Sequence, residues 1–119
     1  MPSELHQVAE YEWGRVLADD RDPNAGGASH YYEVQDPDNL VLALVEFQHG
    51  PRREPGSRQG ALDEHLFAIL ADRLEAFQAG PFPCEANAQA LSHLQAARAL
   101  LRSRHDERRE RDVIGLNLP

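Results

Sequence analysis

Gly80-Pro81-Phe82-Pro83 constrains what this chain can fold into more than any other segment. Two prolines remove two backbone donors and fix two φ angles, and the glycine before them gives a helix a place to stop. On its N-terminal side Leu62, Leu66, Ile69, Leu70, Leu74 and Phe77 recur at steps of three and four, the apolar stripe of a helix beginning near Ala61. Asp63 suits its N-cap or first turn, and the helix is expected to end near Gln78-Ala79. On the far side a second helix runs from about Cys84 to Arg104 or beyond, with Ala90, Leu91, Leu94, Ala97 and Leu101 as its stripe and Leu100 beside it. So short a connection forces the two helices antiparallel. A lone helical hairpin cannot cover both its faces, so a sheet and other subunits are expected to cover the remainder, which makes the chain a homo-oligomer.

The first half reads differently. Residues 1–12 are at most weakly helical, and Trp13–Leu17 is a third strand or a short helix. Asp19–Ala28 is an acidic loop with a proline and two glycines, of a kind that can be mobile. Ser29–Val34 and Leu40–Gln48 are rich in aromatic, branched and apolar residues and form a hairpin about the turn Asp36-Pro37-Asp38-Asn39. Gly50–Gly60, with three glycines, two prolines and three arginines, is a loop leading into the helices. The expected fold is therefore α+β: a small antiparallel β-sheet with a functional loop over residues 1–60, then an oligomerising two-helix hairpin over 61–119.

Charge narrows the function. The net charge is −8 and all twelve basic residues are Arg, unevenly placed. Residues 1–50 carry two Arg against ten acids, whereas 98–119 carry six Arg against four acids. A chain that coats long nucleic acid needs a broad basic face, which is missing here. A local Arg cluster in an acidic protein suits a small anion; it also suits a solvated helix end, where cations favour the dipole. No apolar run approaches the roughly 18 residues of a membrane span, the start has no secretory character, and Cys84 is alone, so a cytoplasmic protein is expected.

No catalytic constellation is present: there is no nucleophile elbow, phosphate loop or dinucleotide fingerprint. His6, His30, His49, His65, His93 and His105 lack metal-ligand spacing, so neither metal nor cofactor is expected. Cys84 reads as a small buried residue capping the turn. What recurs is aromatics, amides and arginines at turns and helix ends. Phe47-Gln48 closes the second strand, Phe77-Gln78 closes the first helix, Phe82 sits in the turn, and Asn87 lies in the first turn of the next helix. Arg104 and Arg108 are one turn apart on one face. Aromatic faces, amides and Arg forks are the parts of a nucleotide site, but spacing alone favours Phe47, Phe77 and Phe82 as core.

The segments Val45–Pro51, Gly56–Gly60, Leu66–Ile69 and Asp72–Cys84 carry a resemblance, as do Asn87-Ala88, Ala90-Leu91 and the ladder Arg104, Arg108, Arg111 ending in Val113-Ile114-Gly115. Together, over about residues 40–115, the chain resembles the phage-encoded Thoeris anti-defence family of the first type. It shares that family's helical hairpin with the anti-CBASS cyclic-oligonucleotide sponges. The resemblance implies a sponge acting in the host bacterial cell. Such a protein binds glycocyclic ADP-ribose, and in several cases cyclic di- or trinucleotides in separate pockets, without cleaving them, and assembles as a dimer or hexamer. It implies that Phe77 and Asn87 contact base and ribose and that Arg52 reaches phosphate. It places Arg104 and Arg108 at a cyclic-oligonucleotide pocket near the symmetry axis. The sequence departs from the pattern at Glu85-Ala86, where Arg-Glu is expected, at Gln59, where Asn is usual, and at His105, where Thr follows the Arg.

The leading expectation is thus a non-enzymatic sponge for a cyclic nucleotide signal, with Phe47, Gln48, Arg52, Phe77, Phe82, Asn87, Arg104 and Arg108 as ligand residues. The alternative is the same hairpin used only as an oligomerising structural module. A phosphodiesterase degrading such signals is a third reading, without an evident general base or metal to support it.

Overall fold

The computed structural model describes residues 4–51 and 54–110, so Arg52, Arg111 and Val113-Ile114-Gly115 lie outside the described residues. Four strands, β1 (His6–Tyr11), β2 (Gly14–Ala18), β3 (Tyr31–Gln35) and β4 (Val41–Glu46), precede two helices, α1 (Asp63–Ala79) and α2 (Glu85–Glu110). The strands form one antiparallel sheet in the order β1-β2-β3-β4. The expected α+β class, a small sheet followed by a helical hairpin, is what the chain adopts. It divides into two compact units between Ala61 and Leu62.

In the sheet unit, the start of the chain is a strand rather than a weak helix. β1 pairs with β2 across the turn at Glu12-Trp13, Tyr11 opposite Gly14 and Gln7 opposite Leu17, with a register shift between Gln7 and Ala9. Strand formation depends on a partner, which residues 1–12 read alone do not reveal. Gly14 is fixed by close approach: its φ is +146°, and a Cβ there would stand 2.2 Å from the carbonyl oxygen of Gln35. Trp13–Leu17, left open between strand and helix, is strand β2.

The central pairing sets Leu17 opposite Glu33 and Glu33 opposite Leu44. Alternation puts Arg15, Leu17, Tyr31, Glu33 and Gln35 on one face. A polar ladder runs along it: Arg15 donates to Gln35 at 3.1 Å, Gln35 to Glu33 at 3.0 Å, and the Tyr31 hydroxyl to the other Glu33 oxygen at 2.6 Å. Glu33 and Tyr31 are both buried. The hydroxyl holds the Glu33 carboxyl below its usual range, and Glu33 in turn pushes Tyr31 up to about 12.

The loop after β2 is tied down. Asp22 accepts backbone bonds from Ala25 and Gly27 through its carbonyl and one from Asn24 through its carboxylate. His49 reaches the same carboxylate at 2.8 Å and stacks flat on His30, ring centres 4.3 Å apart. The His49 bond, followed by that of Asn24, keeps the Asp22 carboxyl below its ordinary range.

In the hairpin unit, α1 opens at Leu62 instead of Asp63. The backbone N–H of Leu62 donates to Nδ1 of His65 at 3.0 Å, leaving Asp63 and Glu64 as first-turn acids. It stops at Gly80 without a left-handed residue: Gly80 has φ −87° and ψ −166°, the extended conformation imposed on a residue that precedes proline. The packed face of α1 is rotated from the expected stripe: the buried residue is Ala71, while Leu66 and Leu74 are partly covered and Ile69, Leu70 and Phe77 are about half exposed. On α2 the expected stripe is largely the covered one: Leu91, Leu94, Ala97 and Leu101 are partly buried, together with Asn87, Ala88, Gln95 and Arg98, whereas Ala90 and Leu100 face outward.

The core is thin. Among the described residues Leu17, Ala18, Tyr31 and Ala71 are the buried hydrophobics, and α2 buries none. Leu40, Leu42 and Leu44 of the β4 edge stay exposed. No described helix is long and apolar enough to cross a membrane.

Candidate functional site

The hairpin turn gathers three of the candidate residues. Gln78, in the last turn of α1, accepts the Cys84 backbone N–H at 3.0 Å and so clips the turn shut. Cys84 then caps α2: its carbonyl takes the Ala88 N–H at 3.1 Å and its sulfur accepts the Asn87 N–H at 3.5 Å. The cap expected of Cys84 is present, but the side chain is exposed rather than buried. Asn87 is thereby fixed in the first turn of α2, half-buried. Phe82 projects from the turn with 85% of its surface exposed, and Phe77 with 48%. Between core and open platform, the alternatives spacing allowed, Phe82 is an open platform.

Phe77 is not alone. The Arg73 guanidinium lies over its ring, 5.3 Å from the centroid. Sequence reasoning passed over Arg73, although the i, i+4 step to Phe77 was the available signal. Glu85, the first residue of α2, accepts a bond from Gln89 at 3.1 Å. A carboxylate there suits the helix dipole and opposes an anion placed at the same helix end.

Arg104 and Arg108 do not belong to this cluster. Seventeen residues of helix separate Asn87 from Arg104, about 25 Å at 1.5 Å per residue. They share a face of α2, with Arg104 exposed and Arg108 half-buried. Phe47 and Gln48 belong to the sheet unit. Phe47 meets Tyr32 edge-to-face at 5.6 Å and bridges to Ala61. The Gln48 amide is spent on its own loop: it donates to the Gly50 carbonyl at 3.1 Å and accepts from Gly60 N–H at 3.2 Å. Both therefore hold the Gly50–Gly60 loop in place, the loop in which Arg52 stands.

No group of three His, Cys, Asp or Glu among the described residues is placed to hold a metal ion. Exposed aromatic rings, an amide and a guanidinium are groups that can stack on and hydrogen-bond a planar polar ligand.

Comparison with known proteins places this geometry. Thoeris anti-defense 1 of Bacillus phage SBSphiJ7 is 42% identical over 74 residues, 62% of this chain and 51% of that protein. The chain thus spans about half the length of the curated relative it matches. Residues 42–104, more than half of the chain, match the Acb2/Tad1 hairpin domain. That stretch takes in β4, the Gly50–Gly60 loop, α1, the turn and α2 as far as Arg104, and by it the chain belongs to the Acb2/Tad1 hairpin family.

Proposed function

We propose that the protein is a phage anti-defence sponge acting in the cytoplasm of the host cell. It sequesters a cyclic nucleotide immune signal, glycocyclic ADP-ribose or a cyclic di- or trinucleotide, without cleaving it. The observation that carries the reading is the turn end of the hairpin, where exposed Phe82, Arg73-backed Phe77 and the capped Asn87 stand together in a member of this family. Phe77 and Phe82 stack on the base, Asn87 bonds base or ribose, and Arg52 reaches phosphate. Arg104 and Arg108 serve a second pocket. Binding suffices for inhibition, because a protein in excess of its ligand removes the free signal by mass action.

Calorimetry with glycocyclic ADP-ribose, a cyclic dinucleotide and a cyclic trinucleotide tests the proposal, followed by denaturation and chromatography of the released ligand. Tight binding of at least one with intact recovery is expected. Binding of none, or recovery of a hydrolysed product, refutes it. We further infer that the working form is a homo-oligomer, dimer or hexamer, since α2 buries no residue and leaves Leu100 71% exposed. A clean monomer in sedimentation at micromolar concentration would contradict that. The purely structural module is the outcome if assembly persists and no ligand binds.

A further inference from the structure

A groove of about 780 Å³ runs between the first half of α1 and the second half of α2. It falls within the range of small-ligand sites. Arg98, Arg102, His105 and Arg109 line it, following one another at i, i+4, i+7 and i+11, a single stripe of α2. Arg104 is two residues beyond Arg102, about 200° around the helix, so the groove lies away from the Arg104 and Arg108 face.

The charge inside the groove is unspent. Among the described residues no carboxylate pairs with Arg98, Arg102 or Arg109. Arg98 donates to Gln95 at 2.9 Å, and Arg109 points at Nε2 of His105 at 3.3 Å. Three guanidinium forks on one stripe, with neutral partners, leave donors for an anion. Ala68 and Ala99 line the groove between them and leave space for a ligand. Glu64 and Asp106 also line it, so the site is mixed in sign. It therefore matches a phosphorylated ligand that carries hydroxyl or amino donors better than bare phosphate.

We propose that this groove binds a diphosphate-bearing ligand of the nucleoside diphosphate class, with Arg98 and Arg102 holding phosphate and Glu64 or Asp106 accepting from the ligand's donors. The site uses none of the residues of the turn-end pocket, so it stands or falls separately from the sponge reading. The Arg109 fork and the His105 ring stand side by side at the edge of the groove. His65 of α1 faces the same groove, with its Nδ1 already accepting from Leu62. The charged and titratable groups facing the ligand are thus Glu64 and His65 from α1, and Arg98, Arg102, His105, Asp106 and Arg109 from α2.

Calorimetry of the full chain with ADP and with inorganic pyrophosphate tests this. Saturable binding of ADP, tighter than that of pyrophosphate, is expected. Arg98→Ala with Arg102→Ala should weaken ADP at least about tenfold, the order expected for losing charge-assisted forks. The Arg98→Lys, Arg102→Lys pair, which keeps charge and loses the fork, should fall in between. Arg21→Ala, at an exposed position of the sheet unit, should leave ADP affinity within about twofold, helix content by circular dichroism being the check on folding throughout. Absence of ADP binding, or wild-type affinity in well-folded Arg98/Arg102 variants, overturns the proposal.

Discussion

Replacing Gly60 by alanine isolates what holds the loop that carries Arg52. Gly60 has an unremarkable φ, so conformational freedom is not the reason for glycine here. A Cβ at that position would lie 2.5 Å from the carbonyl carbon of Phe47 and 2.7 Å from the carbonyl oxygens of Glu46 and Phe47. All three are backbone atoms and cannot swing aside as a side chain would. The return strand must therefore retreat, and with it go two bonds at 2.8 Å, Ala61 N–H to Glu46 and Gln48 N–H to Ala61, and the Gly60 N–H to the Gln48 amide. At about 1 kcal/mol net for each bond the loss is roughly 3 kcal/mol. The stiffer unfolded chain of an alanine variant returns about 0.4–1 kcal/mol. A net destabilisation of about 2 kcal/mol follows, which for a unit of this size lowers its melting temperature by roughly 10 °C. Trp13, in the sheet unit and stacked on Tyr11 with ring centres 5.1 Å apart, provides a fluorescence signal for urea unfolding of that unit. A Gly60→Ala protein within about 0.5 kcal/mol of wild type would refute the close-approach argument.

Phe82→Ala, at an 85% exposed position, should leave the melting temperature unchanged and weaken the nucleotide ligand, by about 1–3 kcal/mol if the ring stacks on a base; a lowered melting temperature with unchanged affinity would assign Phe82 to packing instead. Tyr31, raised to about 12 in the folded state from 10.0, contributes stability that is complete below pH 10 and is lost as pH rises through 12. Urea midpoints between pH 9 and 12.5 should fall more steeply for wild type than for Tyr31→Phe, and equal slopes would remove Tyr31 as the cause. Asp22, whose folded value is lowered, works in the opposite sense: its contribution is present above its ordinary value near 3.8 and disappears as pH falls through the lowered one. His49→Ala should flatten that acid limb. Glu85→Arg, which replaces the negative charge at the turn with a positive one, should tighten an anionic ligand there while costing the helix about 0.5–1 kcal/mol at its N-terminus; calorimetry and thermal melts together read the two effects, and a parallel change in both would contradict the electrostatic account.

The hairpin was legible because its signals are local. A Gly-Pro-Phe-Pro turn between two stretches of 3.6-residue periodicity needs no partner to be recognised, and α1 and α2 fall where the spacing puts them. The face that α2 packs was legible, through Leu91, Leu94, Ala97 and Leu101, but that of α1 was not. Leu70 and Ile69 are larger than Ala71, yet Ala71 is the buried residue, because interhelical distance is set by the smallest side chain at the crossing and not by the greatest hydrophobicity. β1 was missed for a related reason: His6–Tyr11 acquires strand character only by pairing with β2. The same distinction sorts the candidate site. Asn87 and Cys84 were placed correctly by their positions relative to a helix start. Gln48 looked like Gln78, an amide behind a phenylalanine, but one amide closes a sheet loop and the other clips a helix turn. Only the long-range partners, Gly60 for Gln48 and Cys84 for Gln78, separate them.

The two ends of the hairpin differ in how they can treat an anion. At the turn, the first helical residue is Glu85, and its carboxylate stands at the end of α2 where backbone dipoles favour negative charge. The cap takes the Asn87 N–H with the Cys84 sulfur, and Gln78 takes the Cys84 N–H, so part of the terminal donor set is already spent. The guanidinium nearest Phe77 is Arg73, and it is laid against the ring. That arrangement stiffens a stacking surface and adds cation character to it, which suits a base more than a phosphate. At the other end of α2, five arginines stand between Arg98 and Arg109, opposed by three acids between Asp106 and Glu110. An exposed aromatic surface and an Arg-rich stretch thus sit at opposite ends of one hairpin. A single nucleotide cannot span the roughly 25 Å between them. On the proposed reading the two ends therefore serve different ligands.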